Sequence, residues 1–169
     1  AARSAPTFSR VIWLSGEYFD NNQLEGAPRV TRTDARVDFG WTLNSPARGI
    51  PFDWYSVRWT GKLVPAASGT VKIGVEGNDG YRLWLDDTLL IDNWRKQSYR
   101  TLLRDVQLER GREYDLRLEY FESTGNARVR LVWNRGVANE WRARVDSAVA
   151  LARSSDAALV VAGLGEGEF

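Results

Sequence analysis

The segment 74–94, GVEGNDGYRLWLDDTLLIDNW, restricts the fold more than any other part of the chain. Tyr81, Leu83 and Leu85 alternate with Arg82 and Trp84, the period of a strand whose two faces meet different surroundings. Turn residues bracket it. Asn78-Asp79-Gly80 on one side and Asp86-Asp87 on the other tolerate positive φ, so the segment predicts three short strands joined by two tight turns. The first turn also sets an amide oxygen beside a carboxylate, Asn78 next to Asp79, on what reads as an exposed loop.

The same period runs through residues 11–136. Val57, Trp59, Gly61 and Leu63 alternate with Arg58, Thr60 and Lys62, and Val71, Ile73 and Val75 with Lys72, Gly74 and Glu76. Tyr114, Leu116, Leu118 and Tyr120 alternate with Asp115, Arg117 and Glu119, and Val129, Leu131 and Trp133 follow with Arg128 and Arg130 among them. Many short two-faced strands predict a mainly β fold, an antiparallel sandwich or barrel with one buried face per sheet. Residues 39–54, with Pro46, Gly49 and Pro51, read as a long surface loop, and residues 1–10 as a lead-in without the apolar core of a signal peptide.

Past residue 136 the period changes. Trp141, Val145, Ala148, Val149 and Ala152 fall at helical spacing, and 157–162 is an unbroken apolar run suited to a parallel strand covered on both faces. The Gly-rich stretch 163–169 follows. Helix, buried strand and loop predict that 137–169 begins an α/β domain, as part of a longer polypeptide or paired with another chain.

Absent residue types limit the chemistry. With no His and no Cys, this chain holds no Ser-His-Asp triad, no thiolate nucleophile and no imidazole or thiolate metal ligand. Missing Cys leaves the compartment open. The 23 basic and 22 acidic residues are spread along the strands, which predicts neither a nucleic-acid nor a membrane partner. Eight Trp in 169 residues exceed what core filling requires, and each is a core side chain or a stacking surface for a sugar ring. Trp94 and Arg95, at the end of the Ile91-Asp92 strand, either pack or face a sugar. Phe52-Asp53-Trp54-Tyr55 either forms a lid or plugs the sandwich. Asp86-Asp87 reads as a solvated turn.

Several ordered motifs carry a resemblance. Leu14 to Asn21 (LSGEYFDN), Ser56 to Gly61 (SVRWTG), Asn78-Asp79-Gly80 through Asp87, Leu90 to Trp94 (LIDNW) and Leu108 to Tyr120 (LERGREYDLRLEY) resemble the protective-antigen fourteen-kilodalton module, which recurs in glycosidases and yeast adhesins. The tail resembles the second, α/β domain of glycoside hydrolase family 3. In some β-glucosidases of that family the module is inserted there and overhangs the active-site mouth. The resemblance implies an accessory domain that recognises an oligosaccharide or β-glucoside and shapes the pocket of a retaining enzyme, with the remaining domains of that parent as partners. The alternative is an autonomous, adhesin-like carbohydrate-binding module.

The resemblance also implies roles. Glu168, on the loop after the apolar run, is the candidate acid/base of the parent enzyme, and Glu166 the lesser candidate. Asn78, Asp79, Trp94 and Arg95 are the candidate substrate-binding residues. The family's nucleophile motif is of Ser-Asp-Trp type and does not occur here; Phe52-Asp53-Trp54 belongs to the β region, so the chain alone is not expected to hydrolyse glycosides. The sugar-binding adhesins hold calcium on two adjacent Asp. Here the pair is Asn78-Asp79, one carboxylate fewer for an ion that takes 6–8 oxygens, so no metal and no cofactor is expected.

Overall fold

The computed structural model describes residues 10–42, 44–133 and 149–154, with side chains from Trp13 onward. The chain divides into two compact units, Ala1–Arg135 and Gly136–Phe169. Among the described residues the first contains ten strands: β1 (Arg10–Phe19), β2 (Val30–Asp34), β3 (Asp38–Gly40), β4 (Tyr55–Val64), β5 (Gly69–Gly77), β6 (Gly80–Leu85), β7 (Thr88–Asn93), β8 (Arg100–Leu108), β9 (Tyr114–Glu122) and β10 (Arg128–Trp133). They form a six-stranded sheet of order β2-β1-β4-β9-β6-β7 and a four-stranded sheet of order β3-β10-β5-β8, with every pairing antiparallel. This is the sandwich that the alternating runs predict.

Each run buries one face. Tyr55, Val57, Trp59 and Leu63 of β4 lie beside Leu116, Leu118 and Tyr120 of β9, with Trp59 directly opposite Leu118. Val71, Ile73 and Val75 of β5 and Val129 of β10 close the core from the other sheet. Burying such side chains stabilises by about 1.5–3 kcal/mol each, which is why the period survives turns and bulges.

Two expectations need correction. Residues 39–54 are not simply a surface loop. Phe39 sits on strand β3, and its ring stacks on Trp41 at 4.6 Å and on Trp59 at 5.7 Å. Trp41 and Ile50 are buried and Phe39 is half-buried against them, because a wide aromatic row between the sheets removes more apolar surface from water than a solvated loop would. A buried carboxylate completes this layer. Asp34 accepts hydrogen bonds from the Tyr18 hydroxyl at 2.6 Å, the Trp59 indole N–H at 2.8 Å and Arg32 Nε at 2.8 Å.

The second correction concerns Asn78-Asp79-Gly80. β5 pairs with β8 and β10, whereas β6 pairs with β7 and β9. The three residues therefore carry the chain from one sheet to the other instead of closing a hairpin. Only Asp86-Asp87, between Leu85 and its partner Thr88, closes one.

In the second unit the described residues 149–153 are helical, and Ser154 caps this stretch by donating from its N–H and Oγ to the Leu151 carbonyl. Val149 and Ala152, two of the positions at helical spacing, lie in it. The expected strand at 157–162 and both candidate carboxyls, Glu166 and Glu168, lie outside the described residues.

Candidate functional site

The inter-sheet step at Asn78-Asp79 is buried. Asn78 extends the β10 pairing with its side chain: its N–H donates to the Arg128 carbonyl at 3.1 Å, and its Oδ1 accepts from Arg128 N–H at 2.7 Å. Asp79 turns the chain with φ 54°, a left-handed conformation that Asp tolerates. Its N–H donates to the Gln97 carbonyl at 2.9 Å, and its Oδ2 accepts from both the N–H and the hydroxyl of Ser123, at 2.7 and 2.9 Å. One residue thus ties the β5–β6 step to the loop after β7 through its backbone N–H and to the loop after β9 through its carboxylate. Gly80 is dictated by a close approach: a Cβ there would stand 1.9 Å from the Phe121 ring.

A second carboxylate lies beneath. Glu122 is fully buried, and its Oε2 accepts from the Tyr120 hydroxyl at 2.8 Å, with Asn78 Nδ2 at 3.5 Å. Its other oxygen, the Tyr55 hydroxyl and Asn93 Nδ2 are buried without a hydrogen-bond partner among the described residues. Burial pushes the Glu122 carboxyl up to about 7; the Tyr120 hydrogen bond opposes the rise, the Asp79 and Asp53 carboxylates add to it, and Lys96 opposes it. Burial likewise drives the Tyr55 and Tyr120 hydroxyls far above their ordinary range.

Three loops form the mouth of this end of the sandwich. Phe52 and Trp54 are exposed; Trp54 N–H donates to the Ser123 carbonyl at 3.2 Å, and Asp53 accepts from Gly125 N–H at 3.3 Å. Lys96 donates to the Thr124 hydroxyl. Trp94 is half-buried, its edge against Phe121 at 4.9 Å and the Arg82 guanidinium over its face at 4.5 Å. Arg95 is exposed beside it. The structure therefore brings Asn78, Asp79, Trp94 and Arg95 to one end of the sandwich. Asn78 and Asp79 form its floor, not an exposed loop, because each satisfies backbone groups that would otherwise be buried unpaired.

Glu122, Ser123 and the rim aromatics Phe52 and Trp54 are further members of this site. Glu122 had a signal: it is the next inward position after Tyr114, Leu116, Leu118 and Tyr120, and a carboxylate on an apolar period marks a buried charge. Nothing in the sequence marked Ser123, whose part depends on the fold bringing Asp79 to it.

The residues do not fit a calcium ion. The Asn78 carbonyl oxygen and Asp79 Oδ2 face N–H and O–H donors at 2.7–2.9 Å, and among the described residues no three acidic groups converge. Calcium requires several oxygens turned toward it.

The profile of the PA14 domain family matches residues 14–140. The anti-sigma-I factor RsgI3 of Acetivibrio thermocellus is 40% identical over 121 residues; the match spans 72% of this chain but only 19% of that protein. Among solved structures, the β-glucosidase of Kluyveromyces marxianus in complex with glucose is similar at TM-score 0.59 and 18% identity, over 85% of this chain and 18% of that one. The PA14 sugar-binding domain from an RTX adhesin is similar at TM-score 0.60 and 16% identity, over 72% of this chain and 89% of that one.

Proposed function

The chain belongs to the PA14 domain family, and on that premise we propose that its first unit recognises a saccharide at the loop end bounded by Phe52, Trp54, Trp94 and Arg95. The observation that carries this is the pairing of solvent-facing aromatic rings with a rigid polar floor. Phe52 and Trp54 are exposed directly beside Ser123 and Asp53, while Asp79 locks the loop that Ser123 begins. An aromatic ring offers the apolar C–H face of a pyranose a surface, and pre-set hydrogen-bonding groups around it choose among hydroxyl patterns. The sugar-binding adhesin domain is a module of the same fold.

The test is a glycan array followed by calorimetric titration of the 169-residue chain. Binding of a saccharide that weakens about tenfold or more in Trp54→Ala is expected, the loss of roughly one stacked ring. An array without a hit, or binding untouched by Phe52→Ala and Trp54→Ala, refutes the loop-end reading.

The parent protein is a further part of the proposal. Modules of this fold stand both in the anti-sigma factor and in the β-glucosidase, so the parent is indicated by residues beyond the module. Here that is the stretch 137–169, whose helical spacing, apolar run and Gly-Glu loop support a family 3 type glycoside hydrolase in which this domain overhangs the pocket. Glu168 would then be the acid/base, with Glu166 the lesser candidate, and the nucleophile would lie in another domain. In a retaining enzyme the two carboxyls stand roughly 5–5.5 Å apart. Glu168→Ala in the full-length protein should abolish hydrolysis of poor leaving groups and be rescued by azide. Rescue in Glu166→Ala alone moves the assignment two residues back.

A further inference from the structure

Strand β1 contains one residue more than its partner. Ile12 pairs with Lys62 and Leu14 with Gly61, so Trp13 faces no residue of β4. Its φ of 27° is one that bulky side chains rarely adopt, and its indole is 72% exposed. A bulge re-aims a side chain, and strain of this kind marks places where the side chain's direction matters more than local stability. This bulge sets an indole at the edge of a cleft of about 570 Å³ on the outer face of the six-stranded sheet.

The cleft is far from the loop end. Asp79 precedes one end of β6 and Asp86 follows the other, with six residues of extended strand between them, roughly 20 Å. Its groups divide into two sets. The first is committed: Lys62 Nζ holds Asp115 at 2.6 Å, the Arg117 guanidinium lies 3.9 Å over the Trp84 ring, and Asp86 accepts from Asp115 N–H at 2.8 Å. The second set is available. The side chains of Ser15, Thr60 and Asp87 line the same cleft and make no hydrogen bond with other described residues.

An open indole face, two free hydroxyls and a free carboxylate select a flat ligand with an apolar face and a hydroxyl-bearing edge. Charge excludes an ionic ligand: Lys62 and Arg117 stand against Asp86, Asp87 and Asp115, and Arg112 also pairs with Asp86 at 3.1 Å. Such a balance attracts neither a polyanion nor a polycation. We propose that the cleft under Trp13 is a second saccharide subsite, taking a pyranose unit of a neutral oligosaccharide: the ring stacks on Trp13 and its hydroxyls bond Asp87, Ser15 and Thr60. It stands independently of the loop-end reading. Two subsites on one rigid sheet let one long glycan span both, which raises avidity without new contacts.

The test titrates the 169-residue chain with neutral cello-, xylo-, manno- and laminari-hexaoses, following tryptophan fluorescence and heat. At least one should bind and protect Trp13 from acrylamide quenching. Trp13→Ala should weaken that binding about tenfold, and Asp87→Ala several-fold, with the melting temperature unchanged because both side chains are exposed. Binding lost only in Trp54→Ala leaves the loop end standing and overturns this subsite; binding lost only in Trp13→Ala does the reverse. No binding up to about 10 mM, or Trp13 already shielded without sugar, also overturns it.

Discussion

Asn78-Asp79 and Asp86-Asp87 flank the same six-residue strand with nearly the same chemistry, and the fold uses them in opposite ways. At the first, the chain changes sheets, so every backbone group of the turn is taken indoors and both side chains become structural hydrogen-bonding groups. At the second, the chain returns along its own sheet; Asp86 fastens to Asp115 and Arg112 at the surface, and Asp87 remains exposed. A turn motif specifies local φ and ψ, and both aspartates at the bend do take positive φ, 54° at Asp79 and 51° at Asp86. What the motif does not specify is the partner of the next strand. That choice decides whether a carboxylate is a solvated ornament or a buried anchor.

The largest expected effect tests this difference directly. Asp79→Ala removes two charge-assisted hydrogen bonds, leaves the buried Ser123 N–H and hydroxyl unpaired, and puts Ala at positive φ. A loss of about 3–4 kcal/mol in a urea titration is expected. A loss below about 1 kcal/mol would mean that the two turns are equivalent after all.

Glu122 gives the next largest effect. Its native carboxyl titrates near 7 and its unfolded one near 4.5, so between these values the native state holds a proton that the unfolded state has released. Stability therefore falls as pH rises from about 4.5 to about 7 and is level above that. The full shift, in which the opposing Lys96 charge is already included, is discounted for solvent screening at the loop end, which leaves a fall on the order of 1–2 kcal/mol. Glu122→Gln should flatten that slope and be the more stable protein at pH 8. The same slope in both proteins would remove Glu122 from the account.

The sandwich was legible because its cause is local: a strand with one buried face prints its period into Val57-Trp59, Tyr81-Leu83-Leu85 and Tyr114-Leu116-Leu118-Tyr120, all of which turn inward. Sheet membership was not, since β5 and β6 meet different partners through contacts from 23 (Gly77 with Arg100) to 60 (Ile73 with Trp133) residues away in sequence. Phe39 and Trp41 were misplaced for a similar reason. Pro and Gly around them do mark irregular backbone, but irregular backbone folds inward when aromatic rings such as Trp59 await it. At the site, Asn78, Asp79 and Trp94 could be named as residue types at turn and strand ends. Asp53 was legible only as part of a lid or plug, not as the acceptor of Gly125 N–H, and Ser123 not at all, because loops brought together only by the finished fold carry no shared pattern.

Smaller effects belong to the hairpin. Asp86→Ala loses a hydrogen bond from Asp115 N–H and a surface pair with Arg112, and should cost about 1 kcal/mol. Asp87→Ala should change stability by less than about 0.5 kcal/mol. A double-mutant cycle of Asp79→Ala with Asp86→Ala sharpens the comparison. The two turns share no partner, so their effects should add within about 0.5 kcal/mol. Strong coupling would show that β6 transmits strain from one turn to the other.

The smallest expected effect is that of calcium, which should leave the melting temperature unchanged. At the sheet crossing, the oxygens that could face an ion already face donors: Asn78 Oδ1 meets Arg128 N–H, and Asp79 Oδ2 meets Ser123 twice. Freeing them would break three hydrogen bonds and expose N–H groups to a cation. At the hairpin, Asp86 is held by Asp115 N–H and by a guanidinium, which repels a second positive charge. Asp87 alone supplies one carboxylate where calcium takes 6–8 oxygens. A site with a Kd of 10 μM would add about 2.7 kcal/mol at 1 mM calcium, a shift of several degrees that a thermal scan resolves easily. A shift of that size, lost in Asp79→Ala and kept in Asp87→Ala, would show that the crossing turn rearranges around an ion. The buried anchor would then be a metal site that the donors of Ser123 and Arg128 merely fill.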